Sequence, residues 1–274
     1  MNILQRNNVK TLGNPTAPVL LYAHGFGCDQ TMWSSITPAF EQSHFQVLFD
    51  YVGSGKSDIS AYSFTRYAEL QGYAQDIIDV CDALELTENV VLVAHSVSCS
   101  IGILAAIARP ELFSNMILLG PSPCFLNDPP HYFGGFEYSD LHDLLELMDQ
   151  NYLGWVSYLA PVVAGTGNDE SISGRLSDSF CSTDPVVMKQ FARATFFADN
   201  RADFAKVSLP CLVLQHQHDV LASVKVGEFV HRQLKNSKLE ILNVAGHVAH
   251  MSHPYLVIQA MFHYLAIQGG GGYH

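Results

Sequence analysis

Three residues able to carry out acyl transfer together occur along this chain in the order Ser96, Asp219, His247. A serine hydroxyl is a weak nucleophile until a base takes its proton, and the imidazole that does so needs an acid to orient it. Ser96 lies in "VAHSVSCS", between an apolar run ending at His95 and another beginning at Val97. A one-residue strand-to-helix turn at that point strains the backbone and lifts the hydroxyl above a sheet, over the positive end of a helix. The usual pattern for such turns, G-x-S-x-G, is altered here, because Ala94 and Ser98 replace the two glycines. Glycine there lets strand and helix cross without a Cβ clash, and Ala and Ser are the next smallest residues. Read alone, Ser96 serves equally well as the N-cap of a helix.

The other two residues decide between these readings. Asp219 closes "CLVLQHQHD" and His247 sits in "NVAGHVAH", each directly after an apolar run. An acid after a late strand and a histidine after the last one is the chain order of a serine nucleophile turn on an open sheet. All three fall at carboxyl ends of predicted strands, and that coincidence selects a Ser-His-Asp triad. Such chemistry needs backbone N–H groups aimed at the developing oxyanion. "HGFG", His24 to Gly27, offers a tight turn that presents the N–H of Phe26, and Val97 supplies the second donor.

Two other patterns point elsewhere and do not hold up. "DYVGSGKS" ends like a phosphate-binding loop, but the pattern requires Gly where Asp50 stands, and no apolar helix follows Ser57. His247, His250 and His253 are spaced three apart, with His216 and His218 upstream. No carboxylate or cysteine completes a tidy ligand set for a metal. His250 is expected to hydrogen-bond within its loop, and the predicted chemistry calls for neither a metal nor a cofactor.

The elements that must hold these residues follow from the apolar runs. Strands are predicted over Val19–His24, Gln46–Asp50, Val90–His95, Asn115–Gly120, Cys211–His216 and Leu239–Val244. Helical stretches lie between them, notably Tyr67–Leu86, Val97–Ala108, Val224–Gln233 and Tyr255–Ile267. Strands alternating with longer helices predict an α/β fold with a mostly parallel, twisted sheet flanked by helices. The interval 121–205 breaks the alternation: a Pro-rich loop is followed by amphipathic helical segments with no strand candidate. An insertion there sits over the carboxyl edge of the sheet, where open α/β folds bind ligands, and reads as a helical lid. The expected division is a core of residues 1–120 and 206–268, a lid of 121–205, and a flexible tail of 269–274.

Composition narrows the partners. Hydrophobic residues make up 48% of the 274-residue chain and charged residues 15%, enough for a large core. The formal net charge of −12, with no basic run, makes nucleic acid and anionic membrane surfaces poor partners. No stretch reaches the roughly 18 apolar residues of a membrane span, and the beginning of the chain lacks a signal-peptide core. The six cysteines are scattered without a CxxC pair. A cytoplasmic protein with reduced thiols is the expectation.

Together these residues resemble the α/β-hydrolase superfamily, and within it the RsbQ-like group of bacterial stress regulators and plant karrikin and strigolactone receptor hydrolases. The resemblance runs from "RNNVK" to "MSHP", through "HGFGCDQTMW", "LFDYVGSGKSD", "GYAQDIIDVCDAL", "PELFSNMILLGPSPCFLNDPP", "GGFE", "FCSTDP" and "GHVAHMSHP". It implies Ser96 as nucleophile, His247 as base, Asp219 as its acid, and Phe26 and Val97 as oxyanion donors. It also implies four lid helices in a V, roofing a mostly apolar pocket. Candidates for the lining are Phe136, Trp155, Tyr158 and Phe196 of the lid interval, with Val220 beside the acid. The chain departs from the family pattern in its A-H-S-V-S turn and in His218, where an acid often stands. The expected substrate is a small, largely apolar ester or lactone. The alternative the resemblance carries is a sensor whose slow hydrolysis or ligand binding engages a regulatory phosphatase.

Overall fold

The computed structural model describes residues 2–269. Seven strands form one sheet: β1 (Lys10–Leu12), β2 (Val19–Ala23), β3 (Phe45–Leu48), β4 (Val90–His95), β5 (Phe113–Leu119), β6 (Cys211–His218) and β7 (Ser237–Ala245). Their order is β1-β3-β2-β4-β5-β6-β7, and every pairing is parallel except the antiparallel edge pair β1–β3. Edge strand β1 escapes sequence reading because its three residues are exposed and too few to show a period. Along β4 the side chains alternate strictly. Val91 and Val93 join the core on one face, and Val90, Leu92 and Ala94 join the core on the other. Burial on both faces explains why this strand reads as one continuous apolar run.

The helices are α1 (Ile3–Arg6), α2 (Leu70–Ala83), α3 (Val97–Ala108), α4 (Tyr138–Gln150), α5 (Tyr152–Ala164) and α6 (Glu170–Ser182). They continue with α7 (Pro185–Phe196), α8 (Arg201–Phe204), α9 (Val224–Gln233), α10 (Ala249–Ser252) and α11 (Pro254–Gly269). The predicted helix from Tyr67 begins later than its periodicity suggests. Residues Arg66–Ala68 form a separate 3-10 turn, and Glu69 is extended before α2 starts. Gly72 allows this corner, since a Cβ there would lie 1.9 Å from the Arg66 carbonyl oxygen. Helices α4 to α7 all fall between β5 and β6, with α5 packed against α4 and α6, and α4 against α7. Isolated bridges Cys124–Asp199 and Leu126–Phe136 tie down the Pro-rich entry to this interval, which by sequence is simply loop. Helix α11 runs on to Gly269, the first residue of the expected tail; residues 270–274 lie outside the described residues. Among the described residues no helix is long and apolar enough to cross a membrane.

Candidate active site

β4 hands directly to α3 through Ser96, whose backbone sits at φ 57° and ψ −123°. A non-glycine residue held there costs about 1–3 kcal/mol, which the surrounding bonds must offset. The Ser96 amide donates to the Leu119 carbonyl at 2.9 Å, and the Cys99 amide donates to the Ser96 carbonyl at 2.9 Å. The hydroxyl caps no amide of α3, so the N-cap alternative fails. Instead Oγ lies 2.7 Å from His247 Nε2, and His247 Nδ1 lies 2.6 Å from Asp219 Oδ2. The structure thus brings Ser96, His247 and Asp219 into one continuous hydrogen-bonded chain.

Asp219 follows β6 and is buried, with its Oδ1 accepting from the Leu221 and Ala222 amides at 2.9 and 3.1 Å. Burial alone would push this carboxyl up. The charge of His247 and the donors on His216 and His247 outweigh it, and the group lies well below the ordinary carboxylate range. His247 is held by its backbone on both sides. Its amide donates to the Val163 carbonyl at the end of α5, at 2.8 Å. Its carbonyl oxygen lies 2.8 Å from His95 Nε2, and because a carbonyl only accepts, that nitrogen carries the proton. Burial, reinforced by the nearby His250 and His247, pushes His95 well below the usual imidazole range and keeps it neutral. Gly246 precedes the base at φ +85°, where a Cβ would stand 2.2 Å from the Ala164 carbonyl oxygen.

Phe26 sits between Gly25 and Gly27, the latter at φ +70°. Among the described residues, neither the Phe26 nor the Val97 amide N–H has an acceptor, so both are available to an oxyanion. Ser98, singled out as a small replacement for glycine, does more than keep the crossing narrow. Its hydroxyl donates to the His24 carbonyl and lies 2.9 Å from the Tyr51 hydroxyl, which therefore donates to it. The residue that lets α3 close on the sheet is Gly102, one turn further on, where a Cβ would meet Leu92 Cδ2 at 2.4 Å. No pattern in the sequence marks the Ser98, His95 or Val163 contacts, since each joins segments far apart in the chain.

Four of the five expected lining residues, Phe136, Tyr158, Phe196 and Val220, border one groove of about 560 Å³. Leu221, two residues past Asp219, lies in the same lining. Tyr158 and Val220 are exposed at its mouth, whereas Phe196 is buried 5.3 Å from the Phe26 ring. Trp155 is not on this groove. It is fully buried and meets the Phe26 ring edge-on at 6.1 Å. Asp50 of "DYVGSGKS" accepts from the Gln30 and Lys56 amides and from Asn8 Nδ2, which makes that stretch a pinned turn. His250 makes no hydrogen bond among the described residues, contrary to expectation. Because α10 turns it inward, its ring is buried between Trp33 at 4.7 Å and His95 at 4.5 Å. His216, Asp219 and His247 are close enough to hold a cation, but the triad already uses two of them.

The family model for the alpha/beta hydrolase fold matches residues 18–254. The chain belongs to the α/β-hydrolase family. It is 36% identical over 259 residues to a strigolactone esterase of Arabidopsis thaliana, covering 94% of this chain and 96% of that one. To a karrikin insensitive 2 receptor of Petunia hybrida it is 35% identical over 262 residues, covering 95% and 96%. Among solved structures, a hydrolase from Oleispira antarctica superposes with a TM-score of 0.94 at 43% identity, covering 96% of each chain. The RsbQ-like resemblance, drawn from "HGFGCDQTMW" and "GHVAHMSHP", agrees with these relatives in both family and coverage.

Proposed function

We propose that this α/β hydrolase is a serine esterase that cleaves small, largely apolar esters or lactones through an acyl-enzyme. The supporting observation is the chain Ser96 Oγ–His247 Nε2 at 2.7 Å and His247 Nδ1–Asp219 Oδ2 at 2.6 Å, on a strained nucleophile turn. His247 takes the Ser96 proton as Oγ attacks the carbonyl carbon, and Asp219 orients the imidazole and offsets its charge. The Phe26 and Val97 amides hold the oxyanion; one such donor is worth about 10²–10³ in rate. His247 then gives the proton to the leaving alkoxide and activates water for deacylation. Residues 121–205 serve as the lid over a core of 1–120 and 206–268, and Trp155 and Phe196 close the inner wall around Phe26. A fluorophosphonate should add once per chain, at Ser96, and Ser96→Ala should lose both labelling and p-nitrophenyl ester turnover. Labelling that persists in the Ala variant refutes the assignment.

A second reading is favoured by the relatives whose names describe receptors. In it, hydrolysis is slow and ligand binding alters a surface read by a partner protein, a regulatory phosphatase in the RsbQ-like case. Single-turnover acylation followed by slow product release supports this reading, and fast steady-state turnover on many short esters opposes it. A cytoplasmic setting fits either reading.

A further inference from the structure

One buried imidazole beside the triad has no part in the proposed relay. His216 lies on β6, fully buried, three residues before Asp219. Its Nδ1 is 3.0 Å from the Gly246 carbonyl oxygen and 3.6 Å from Asp219 Oδ2. A carbonyl and a carboxylate are both acceptors, so the ring proton must sit on Nδ1, between them. Asp219 Oδ2 is also the oxygen that accepts from His247, while Oδ1 is occupied by two loop amides. Gly246 is the residue immediately before the base. A single N–H therefore faces both the acid and the loop carrying the base, at the point where the β6–β7 register shifts between His216 and His218.

We infer that His216 is a positioning residue: its Nδ1–H, set between the Gly246 carbonyl and Asp219 Oδ2, holds the acid and the base loop in register. The inference rests on reading Ser96, Asp219 and His247 as a triad. The competing account is that His216 merely fills space in the core. The two accounts rank substitutions in opposite order. In His216→Asn the amide nitrogen takes the place of Nδ1 and keeps the donor, but the side chain is smaller. In His216→Leu the volume is nearly kept and the donor is lost.

The test is steady-state kinetics on a neutral p-nitrophenyl ester with both variants, alongside thermal melts. Positioning predicts that Leu lowers kcat about tenfold or more with KM little changed, since small misplacements of reacting groups are costly. Asn should stay within a few-fold of wild type. The low-field proton resonance of the His247–Asp219 bond should broaden or move in the Leu variant and persist in Asn. A Leu variant that fails to fold beside an active Asn variant points the same way, because a plain filler tolerates Leu better. Wild-type kcat in His216→Leu, or an Asn variant that is inactive or unfolded, overturns the inference. Ser96→Ala measured in parallel separates the failures: residual turnover there refutes the triad itself, not only the part assigned to His216.

Discussion

The Ser98 hydroxyl donates to the carbonyl of His24, joining the first turn of the nucleophile helix to the turn that presents the Phe26 amide. The Tyr51 hydroxyl completes the arrangement, and the Tyr51 amide donates to His24 Nε2 at 3.2 Å. His24 Nδ1 in turn lies 2.9 Å from the Gly25 carbonyl, which fixes the proton on that nitrogen. Serine at 98 thus couples the two halves of the proposed oxyanion hole. Restoring the family's glycine should therefore harm this protein. Ser98→Gly leaves the buried Tyr51 hydroxyl without its acceptor, a loss of about 1–3 kcal/mol, and should lower kcat more than it raises KM. Ser98→Val adds overpacking of about 1–3 kcal/mol at the same crossing and should be worse. Thermal melts and ester kinetics on the two variants check this ranking. Unchanged kcat in Ser98→Gly would show the link to be idle.

The groove suggests what charge the substrate carries. Asp140 and Asp143 are the charged residues among those lining it, and the rest of the lining is mainly apolar. We take this groove as the entry to the proposed site; an ester bearing a carboxylate that enters along it meets both, in a protein of net charge −12. Neutral or cationic esters should have the higher kcat/KM at low salt. The double substitution Asp140→Asn and Asp143→Asn should raise kcat/KM for an anionic ester several-fold and leave a neutral one unchanged. The difference should shrink at high ionic strength, since the screening length falls to about 8 Å at physiological salt. Anionic esters preferred by the unmodified protein would show that substrate does not enter along this groove.

What the sequence revealed and what it hid divide along one physical line. Helix α9 was legible to the residue because burial of one face imposes a period on its side chains, and α3 and β4 were legible because burial nearly all round makes each a compact run. The Ser96, Asp219 and His247 positions were legible because each follows such a strand. Contacts made by single polar atoms across long sequence separations left no periodic trace. Ser98 with His24, His95 with the His247 carbonyl and His216 with Gly246 are all of this kind. His250 misleads for the opposite reason: its polar ring suggests a hydrogen bond within its loop, yet it packs as an aromatic ring against Trp33.

Buried histidines give the protein a defined acid sensitivity. Burial lowers the folded-state values of His24, His95 and His250 below the ordinary imidazole range. A group lowered on folding binds its proton in the unfolded chain first, so stability is lost as pH falls below about 6.5. Each such histidine contributes a slope of about 1.4 kcal/mol per pH unit between its unfolded and folded values. Asp219, also lowered, removes further stability at lower pH, as it falls from the unfolded carboxylate value of about 3.9 toward the folded one. Denaturant melts between pH 7.5 and 5 should therefore show steep destabilisation. His250→Phe, which keeps the ring against Trp33, should flatten that slope by one histidine's share. An unaltered slope in His250→Phe would mean that His250 is not held neutral by the fold.

Asn168, just past the end of α5, connects the α5–α6 corner to the loop that carries His247. Its Nδ2 donates to the Ala164 carbonyl at 2.7 Å and to the Ala245 carbonyl at 2.9 Å, two residues before His247. The His247 amide meets the same helix end through Val163. The α5–α6 corner is in this way part of the frame that sets the base. Asn168→Ala should cost about 1–2 kcal/mol of stability for two lost donors, and it should lower kcat with KM little changed. Asn168→Asp is the sharper test. It keeps the shape but turns an acceptor toward two carbonyl oxygens, so it should be less stable and less active than Ala. Comparing kcat and melting temperature across Asn, Ala and Asp decides the point. If Asp performs as well as Asn, the donor is irrelevant, and the α5–α6 corner does not hold His247 through this residue.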